Sequence, residues 1–147
     1  MKKFQFRLEP VLRLKAHREK QRQKEHALAV RQVTMQQERL ASLEGDKSRT
    51  FDHQRRMQAG PISAGRLLIT SRYLVKLKRD ALTGREVLRG LEKTAETRRH
   101  ELVEAARERK TYEKLKEKRK SAFEQDVARR ERKELDEIAV TRFRRTK

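Results

Sequence analysis

The chain has 147 residues, with 41 Lys and Arg against 22 Asp and Glu, and therefore a formal net charge of +19. Charged residues make up 43% of the sequence and hydrophobic residues only 34%, too few for a globular core of ordinary size. Because cysteine is absent, a disulfide scaffold, a thiolate nucleophile and a cysteine-based zinc site are excluded. The sequence contains neither an apolar run of about 18 residues, long enough to span a membrane, nor the apolar segment of a secretory signal. We therefore expect a soluble cytoplasmic protein built as one structural unit.

The residue types favour helices over disorder. Disordered chains are rich in Pro, Gly and Ser, whereas this chain has only two prolines and five glycines. Leu, Ala, Glu, Lys, Arg and Gln dominate, and these side chains lose little conformational freedom in a helix. The composition therefore predicts long α-helices.

The strongest helix-breaking signal lies near the middle of the chain, at Gly60 and Pro61. Because proline has no amide hydrogen and restricts the residue before it, a helix should end just before Pro61. Pro10 suits the first turn of a helix, and Ser63 suits an N-cap. We predict a single domain over residues 1–147, with helix 1 over about residues 10–58, a turn over 59–64 and helix 2 over about residues 65–143.

A heptad pattern predicts how the two helices pair, and we call its positions the seam. In helix 2, ten of fourteen seam positions are apolar, which is typical of a coiled coil. These positions are Leu67, Thr70, Leu74, Leu77, Ala81, Gly84, Leu88, Leu91, Ala95, Arg98, Leu102, Ala105, Arg109 and Tyr112. In helix 1, six of eleven are apolar: Leu8, Leu12, Lys15, Glu19, Arg22, His26, Ala29, Val33, Gln36, Leu40 and Leu43. Residues 17–26 contain no apolar side chain, so we expect a weak or solvated seam there.

Two helices joined by a short turn run antiparallel, so each apolar stripe can pack against the other. The predicted fold class is therefore all-α, an antiparallel coiled-coil hairpin in which the second helix is longer and overhangs the first. An intermolecular coiled coil or a larger bundle is the alternative. The tight central turn favours the intramolecular hairpin.

The unequal helix lengths predict a segment that has no internal partner. With a rise of 1.5 Å per residue, helix 2 should outrun helix 1 by roughly 45 Å, beginning near Tyr112. Leu135, Ile138 and Ala139 would then form an apolar patch without a covering helix, which indicates an external partner. A frayed C-terminus is the alternative. Near the N-terminus, Phe4, Phe6 and Leu8 alternate with polar residues, and we expect them beside helix 2 where the overhang begins.

No group of residues has the spacing of a catalytic or metal site. The four histidines never lie three or four residues apart, so no helix face pairs two imidazoles for zinc. Residues 100–104, HELVE, have Glu104 where a zincin helix needs its second histidine. Residues 60–67, GPISAGRL, imitate a phosphate-binding loop but lack its lysine and its Ser or Thr. We therefore expect no enzyme activity, no metal and no cofactor.

The positive charge is spread along the whole chain rather than gathered in one tail. Residues 1–57, 58–112 and 113–147 each carry a net positive charge. The two tyrosines lie far apart, which does not favour base stacking. We therefore expect attraction to acidic proteins and no specific nucleic-acid partner, although nonspecific phosphate binding at low salt is expected of so basic a chain.

Two segments resemble the signatures of a known family. Residues 4–13, FQFRLEPVLR, resemble the N-terminal signature of the FliJ family of flagellar export proteins, and residues 132–139, RKELDEIA, resemble its C-terminal signature. The chain length, the central Gly-Pro turn and the unequal antiparallel helices also agree with that family. The resemblance covers the whole chain.

The resemblance implies a function that the residues alone do not. Proteins of this family are similar to the γ stalk of rotary ATPases, and their terminal end enters the ring of the flagellar export ATPase. The implied partners are that ATPase ring, the cytoplasmic domain of the membrane export gate protein and export chaperones, with peripheral association with the inner membrane through the gate. The implied ring contacts, in which Asp136 and Glu137 set the polarity, are Phe6, Leu8, Val11, Leu12, Leu135, Asp136, Glu137, Ile138 and Ala139.

The resemblance also implies a gate-binding face early in helix 2, at positions i, i+4, i+7 and i+11. The corresponding residues are Tyr73, Leu77, Asp80 and Gly84. Tyr73 and Leu77 match an aromatic and an aliphatic member of the family's set, whereas Asp80 and Gly84 depart from it. Leu77 and Gly84 also fall on the seam, which would bury them against helix 1. Tyr73 is therefore the better candidate for an exposed contact.

Two other functions are kept as alternatives. The equivalent stalk protein of a virulence-type secretion system shares the same architecture. From a different class, a basic helical hairpin could bind nucleic acid or ribosomes.

Overall fold

Two long α-helices make up nearly all of the chain. In this computed structural model, residues 3–61 and 63–145 are described, with side chains as far as Phe143. Helix α1 spans Glu9–Gln58 and helix α2 spans Ala64–Arg145, and the described residues contain no β-strand. The helices pack against each other, so the predicted all-α fold class is confirmed.

The helix ends have local causes. The carbonyl of Leu8 accepts the first intrahelical hydrogen bond of α1, from the amide of Leu12 at 3.0 Å, and Pro10 stands where no amide donor is needed. At the start of α2, the carbonyl of Ser63 accepts a hydrogen bond from the amide of Leu67 at 3.1 Å. Pro61 lies between the helices. Ile62, which also belongs to the predicted turn, lies outside the described residues.

The chain divides into two compact units. One comprises Gln21–Leu102, and the other comprises Met1–Lys20 together with Val103–Lys147. We call them the turn unit and the terminal unit. In each unit a segment of α1 packs antiparallel to a segment of α2. Residues further along α1 contact residues nearer the start of α2.

The seam predicted from the heptad pattern is confirmed in both units. All eleven seam positions of α1 and all fourteen of α2 are buried or half-buried. The buried seam residues are small or aliphatic: Ala29, Leu77 and Gly84 in the turn unit, and Ala105 in the terminal unit. Small residues at the seam let the two helix backbones approach closely.

At Gly84, side chains of α1 approach the α2 backbone closely. A Cβ atom placed there would lie 2.8 Å from Leu40 Cδ2 and 3.2 Å from Gln36 Nε2. The space is used by the side chain of Gln36, whose Nε2 donates a hydrogen bond of 3.0 Å to the Gly84 carbonyl. Glycine thus allows α1 to contact the α2 backbone at this position.

Candidate partner-binding surfaces

The uncovered end of α2 in the terminal unit is shorter than the sequence predicts. The overhang was expected to begin near Tyr112, but Tyr112 is half-buried and coverage continues as far as Val127. Every described side chain from Ala128 to Phe143 is exposed. α2 extends about 40 Å beyond Lys116, the partner of Glu9 at the start of α1, close to the predicted difference of roughly 45 Å. Within that length, the uncovered part that the structure describes, residues 128–143, is only about 24 Å long.

The N-terminal segment before α1 accounts for the difference. Residues 3–6 have no regular secondary structure and lie along α2 beyond the start of α1. An extended residue advances about 3.3 Å, compared with 1.5 Å in a helix, so this short segment covers more than its own length of α2. The expected position of Phe4 and Phe6 beside α2 is thus confirmed, and the start of the overhang is corrected.

Aromatic contacts hold this segment in place, and we call them the N-terminal clasp. The rings of Phe4 and Phe123 lie 5.7 Å apart between centroids at an angle of 48°. Phe6 is buried, and the Arg119 guanidinium carbon lies 5.9 Å from its ring centroid, within range of a cation–π interaction. Lys116 Nζ lies 2.8 Å from Glu9 Oε2. The alternation of Phe4 and Phe6 in the sequence signalled a docked segment, but not its partners on α2.

Near the end of α2, three of the exposed apolar residues share one narrow face, and Val140 and Phe143 are exposed as well. Leu135, Ile138 and Ala139 are three and four residues apart, so they share a side of the helix, and we call them the tip patch. Leu135 is 65% exposed and Ile138 is 52% exposed. The exposed carboxylates Asp136 and Glu137 flank them. An aliphatic face of this kind contributes binding energy once a partner removes it from water.

The predicted ring contacts at the two chain ends do not form a single surface. Leu8, Val11 and Leu12 are half-buried, and Phe6 is buried under Arg119. The tip patch lies 19 residues beyond Lys116, which pairs with Glu9, a separation of about 28 Å along the helix. The structure therefore leaves the C-terminal set fully accessible, whereas the N-terminal set is partly occupied in packing.

Ion pairs replace apolar contacts in the stretch that lacks apolar residues. In the terminal unit, Lys15 Nζ lies 2.8 Å from Glu108 Oε2, and Glu19 pairs with Arg109. The sequence predicted a weak or solvated seam here. The side chains that meet across it are charged, paired and only half-buried, which agrees with a polar, partly solvated seam.

In the turn unit, four charged residues also form ion pairs across the seam. Arg22 Nη1 lies 2.7 Å from Glu25 Oε2 and 2.9 Å from Glu101 Oε2. Arg98 Nη1 lies 2.9 Å from Glu101 Oε2 and 3.5 Å from Glu25 Oε2. Each carboxylate therefore contacts both guanidinium groups. These cross-helix partners lie more than 70 residues apart in sequence, which is why local patterns did not reveal them.

The paired cations lower the pKa of two carboxyl groups. The hydrogen bond that Arg98 donates, together with the charge of Arg22, holds the pKa of Glu101 below its ordinary value. The hydrogen bond and charge of Lys15 do the same for the pKa of Glu108 in the terminal unit. Both carboxylates are thus stabilised in the charged form that the helix pairing uses.

The four predicted gate-binding residues divide into an exposed and a covered pair. Tyr73 is 44% exposed, and Asp80 is also exposed. Leu77 is only 4% exposed, and Gly84 is buried against Leu40. Leu77 and Gly84 therefore cannot contact a partner while α1 remains packed on α2. Tyr73 lies at the edge of an open cleft that also contains His53 of α1.

Among the residues described, no three His, Asp or Glu side chains are placed to hold a metal ion together. A search of the same residues finds no helix that is both long and apolar enough to cross a membrane.

Comparison with known proteins gives one family and one structural relative. Residues 4–147 match the sequence profile described as the flagellar FliJ protein. Among solved structures, a protein described as a YscO homologue, CT670 from Chlamydia trachomatis, is 22% identical, with 93% of each chain covered and a TM-score of 0.66. At that identity the likeness establishes a shared fold. No curated protein sequence matches the chain.

Proposed function

This chain belongs to the FliJ family, the stalk-type proteins of the type III export apparatus, and we propose that it binds the ring of the export ATPase through the end of α2. In this role it promotes assembly of the ring and links it to the export gate. The protein itself contributes binding surfaces and no catalytic group. Export chaperones are further partners that the family suggests.

The observation that carries the proposal is the exposed tip patch. Leu135, Ile138 and Ala139 form an aliphatic face on a segment that neither α1 nor the N-terminal segment covers. A single helix has a diameter of about 10–12 Å with its side chains, a slender shape that suits insertion into a ring. Asp136 and Glu137 add charge beside the patch and would orient it against basic groups on the ring.

The N-terminal clasp supports the same proposal from the other direction. Phe4, Phe6 and Glu9 anchor the chain start against α2 at Phe123, Arg119 and Lys116. Because this packing stiffens α2 immediately before the uncovered segment, the tip patch projects from a supported helix. We propose that the exposed edges of Leu8, Val11 and Leu12 form a secondary contact at the ring mouth.

The test is the activity of the cognate export ATPase with and without this protein. We expect stimulation by the unchanged chain and loss of stimulation for the double substitution Leu135→Asp with Ile138→Asp. Because both residues are exposed, circular dichroism should give unchanged helicity. The matched control is Leu28→Asp with Met35→Asp, two exposed apolar residues on α1, which should stimulate normally.

Three outcomes would contradict the proposal. The unchanged chain could fail to stimulate the ATPase or to promote its assembly. The control pair could reduce stimulation as much as the tip pair, which would indicate a general charge effect. Loss of helicity in the tip variant would mean that the patch is structural.

For the export gate, we propose Tyr73 and Asp80 as the contacts. They are the exposed members of the predicted set, whereas Leu77 and Gly84 support them from beneath by fixing α2 against α1. We expect Tyr73→Ala to weaken binding to the cytoplasmic domain of the gate protein in a pull-down. ATPase stimulation should not change, because Tyr73 belongs to the turn unit and the tip patch to the terminal unit.

A pull-down at physiological salt also distinguishes the alternatives. Recovery of a flagellar ATPase favours the flagellar system, and recovery of a virulence-type ATPase favours the secretion system that shares this fold. Recovery of RNA with a steep salt dependence would instead favour nucleic-acid or ribosome binding.

A further inference from the structure

The outward side of α2 in the turn unit carries a second heptad pattern that the hairpin does not use. Counting from Leu68, residues follow at alternating spacings of four and three, the spacing of a coiled-coil seam. We call these five positions the outer seam: Leu68, Arg72, Val75, Arg79 and Leu82. Aliphatic residues thus alternate with arginines over 14 residues, or about 21 Å of helix.

All five outer-seam side chains are exposed. The positions of the first seam, which we now call the inner seam, are all buried or half-buried. Val75, at the centre, is 63% exposed, and Leu68 and Leu82 are each more than half exposed. Among the described residues, neither Arg72 nor Arg79 has an ion-pair partner, although many other arginines of the chain do. An aliphatic row with unpaired guanidinium groups is therefore available on one face.

The two central positions beside the outer seam are also basic. Lys76 and Lys78 are exposed and lie on opposite flanks of the seam, and neither has an ion-pair partner among the described side chains. In a coiled coil, the flanking positions select the partner by charge. Two basic flanking residues and two basic outer-seam residues therefore favour a partner helix with acidic residues and disfavour a basic one.

We propose that the outer seam binds an amphipathic helix of an acidic partner protein. Aliphatic residues of that helix would pack on Leu68, Val75 and Leu82. Its carboxylates would pair with Arg72 and Arg79, where the planar guanidinium can donate two parallel N–H hydrogen bonds to one carboxylate. We take the occupant to be a helix because alternating spacings of three and four residues are those of a coiled-coil seam, which another helix of similar pitch fills.

The residue types of the outer seam disfavour two other kinds of partner, nucleic acid and a membrane surface. A nucleic-acid backbone offers phosphates to the arginines, but it has no counterpart for an aliphatic row, and the seam holds no aromatic side chain for base stacking. A membrane surface needs an apolar face of at least about 100° of the helix circumference, and arginines interrupt this row at every turn. An acidic helix satisfies both kinds of residue at once.

This proposal is independent of the proposed ring contact. The outer seam belongs to the turn unit, and the tip patch belongs to the terminal unit. It also differs from the gate set, because Tyr73 and Asp80 do not occupy outer-seam positions. Failure of one proposal therefore leaves the other standing.

The first test uses the full chain and a fluorescein-labelled synthetic helix of about three heptads with Leu and Glu in 4-3 spacing. Binding is measured by fluorescence anisotropy at physiological salt. We expect Val75→Asp to weaken binding about tenfold or more, because it places a carboxylate in the aliphatic row. The matched control Leu28→Asp, which alters a 60% exposed residue on α1, should leave the affinity within about twofold.

A charge exchange sharpens this test. We expect Arg72→Glu with Arg79→Glu to lose the Glu-containing helix and to bind a version in which Lys replaces Glu. Equal binding of the acidic helix to the unchanged chain and to Val75→Asp would overturn the proposal, because Val75 would then lie outside the binding face. Circular dichroism on each variant checks that the helices remain folded.

A second test identifies the occupant in cells. A photo-crosslinking amino acid at Val75 should capture a peptide that is acidic and helical in its own protein, and the same group at Leu28 should not. Crosslinking to RNA, or association with anionic vesicles that persists in Val75→Asp, would overturn the proposal. So would crosslinks at Val75 no stronger than those at Leu28.

Discussion

Leu77 and Leu135 are the same residue type on the same helix, and their environments are opposite. Leu77 is 4% exposed, in the turn unit, and Leu135 is 65% exposed, in the terminal unit. A segment of α1 covers the first, and none of the described segments covers the second. The difference teaches that an apolar residue on a long helix is structural where a second helix lies opposite, and is available for a partner protein where none does.

The sharpest test of this comparison removes each leucine in turn. We expect Leu77→Ala to lower the free energy of unfolding by about 2–4 kcal/mol, because it leaves a cavity between α1 and α2. Leu135→Ala should change it by less than about 0.5 kcal/mol, since the side chain is already in water. Urea unfolding followed by circular dichroism measures both. Equal losses would mean that the exposed end of α2 is packed in solution.

Two glycines of α2 also differ in whether α1 lies against them. Gly84 lies against Leu40, whereas a Cβ atom at Gly90 would meet nothing within 4 Å. We expect Gly84→Leu to destabilise the fold by about 1–3 kcal/mol through overpacking. Gly90→Ala should stabilise it by about 1 kcal/mol through helix propensity. Thermal unfolding of the two variants gives the signs, and stabilisation by Gly84→Leu would contradict the close approach.

The N-terminal clasp is the boundary between covered and uncovered parts of α2, so loosening it should move that boundary. We expect Phe6→Ala to raise amide hydrogen exchange of residues 115–123 about tenfold while leaving residues 67–91 unchanged. The increase follows because Phe6 is buried against this part of the helix. Unchanged exchange at 115–123 would mean that the segment does not protect α2.

The smallest expected effect concerns the polar part of the seam at low pH. The folded-state pKa of Glu101 and of Glu108 is lowered, so their contribution to stability is complete above the ordinary pKa of glutamate, about 4.3. It is lost as the pH falls through the lowered folded-state values. We expect the urea concentration at the unfolding midpoint to decrease as the pH falls below about 4. The decrease should be smaller in the double variant Glu101→Gln with Glu108→Gln than in the unchanged chain. An equally steep decrease in that variant would assign the acid sensitivity elsewhere.

Much of the fold could be predicted because its causes are local or periodic. Helix-forming residues fixed the two helices, and Gly60 with Pro61 fixed the break between them. The heptad spacing identified which face of each helix is covered, and every seam residue is indeed buried or half-buried. The conflict at Leu77 and Gly84, between the seam and a partner contact, was also visible from spacing alone.

The remaining features depend on which residues meet across the pair. The pairing of Glu19 with Arg109, the clasp of Phe4 on Phe123 and the start of the overhang after Val127 all involve residues far apart in sequence. Local patterns do not encode such pairings, because the register between two long helices depends on contacts along their whole interface. The outer seam was missed for a related reason, since its aliphatic residues stand out only once the inner seam is known to be filled.

The sequence by itself determined that this protein consists of two long helices and which stripe of each helix faces the other. Only the tertiary structure decided where the covering ends and which apolar side chains stay in water. The physical reason is that helix formation depends on neighbouring residues, whereas burial depends on what lies across from a side chain in space.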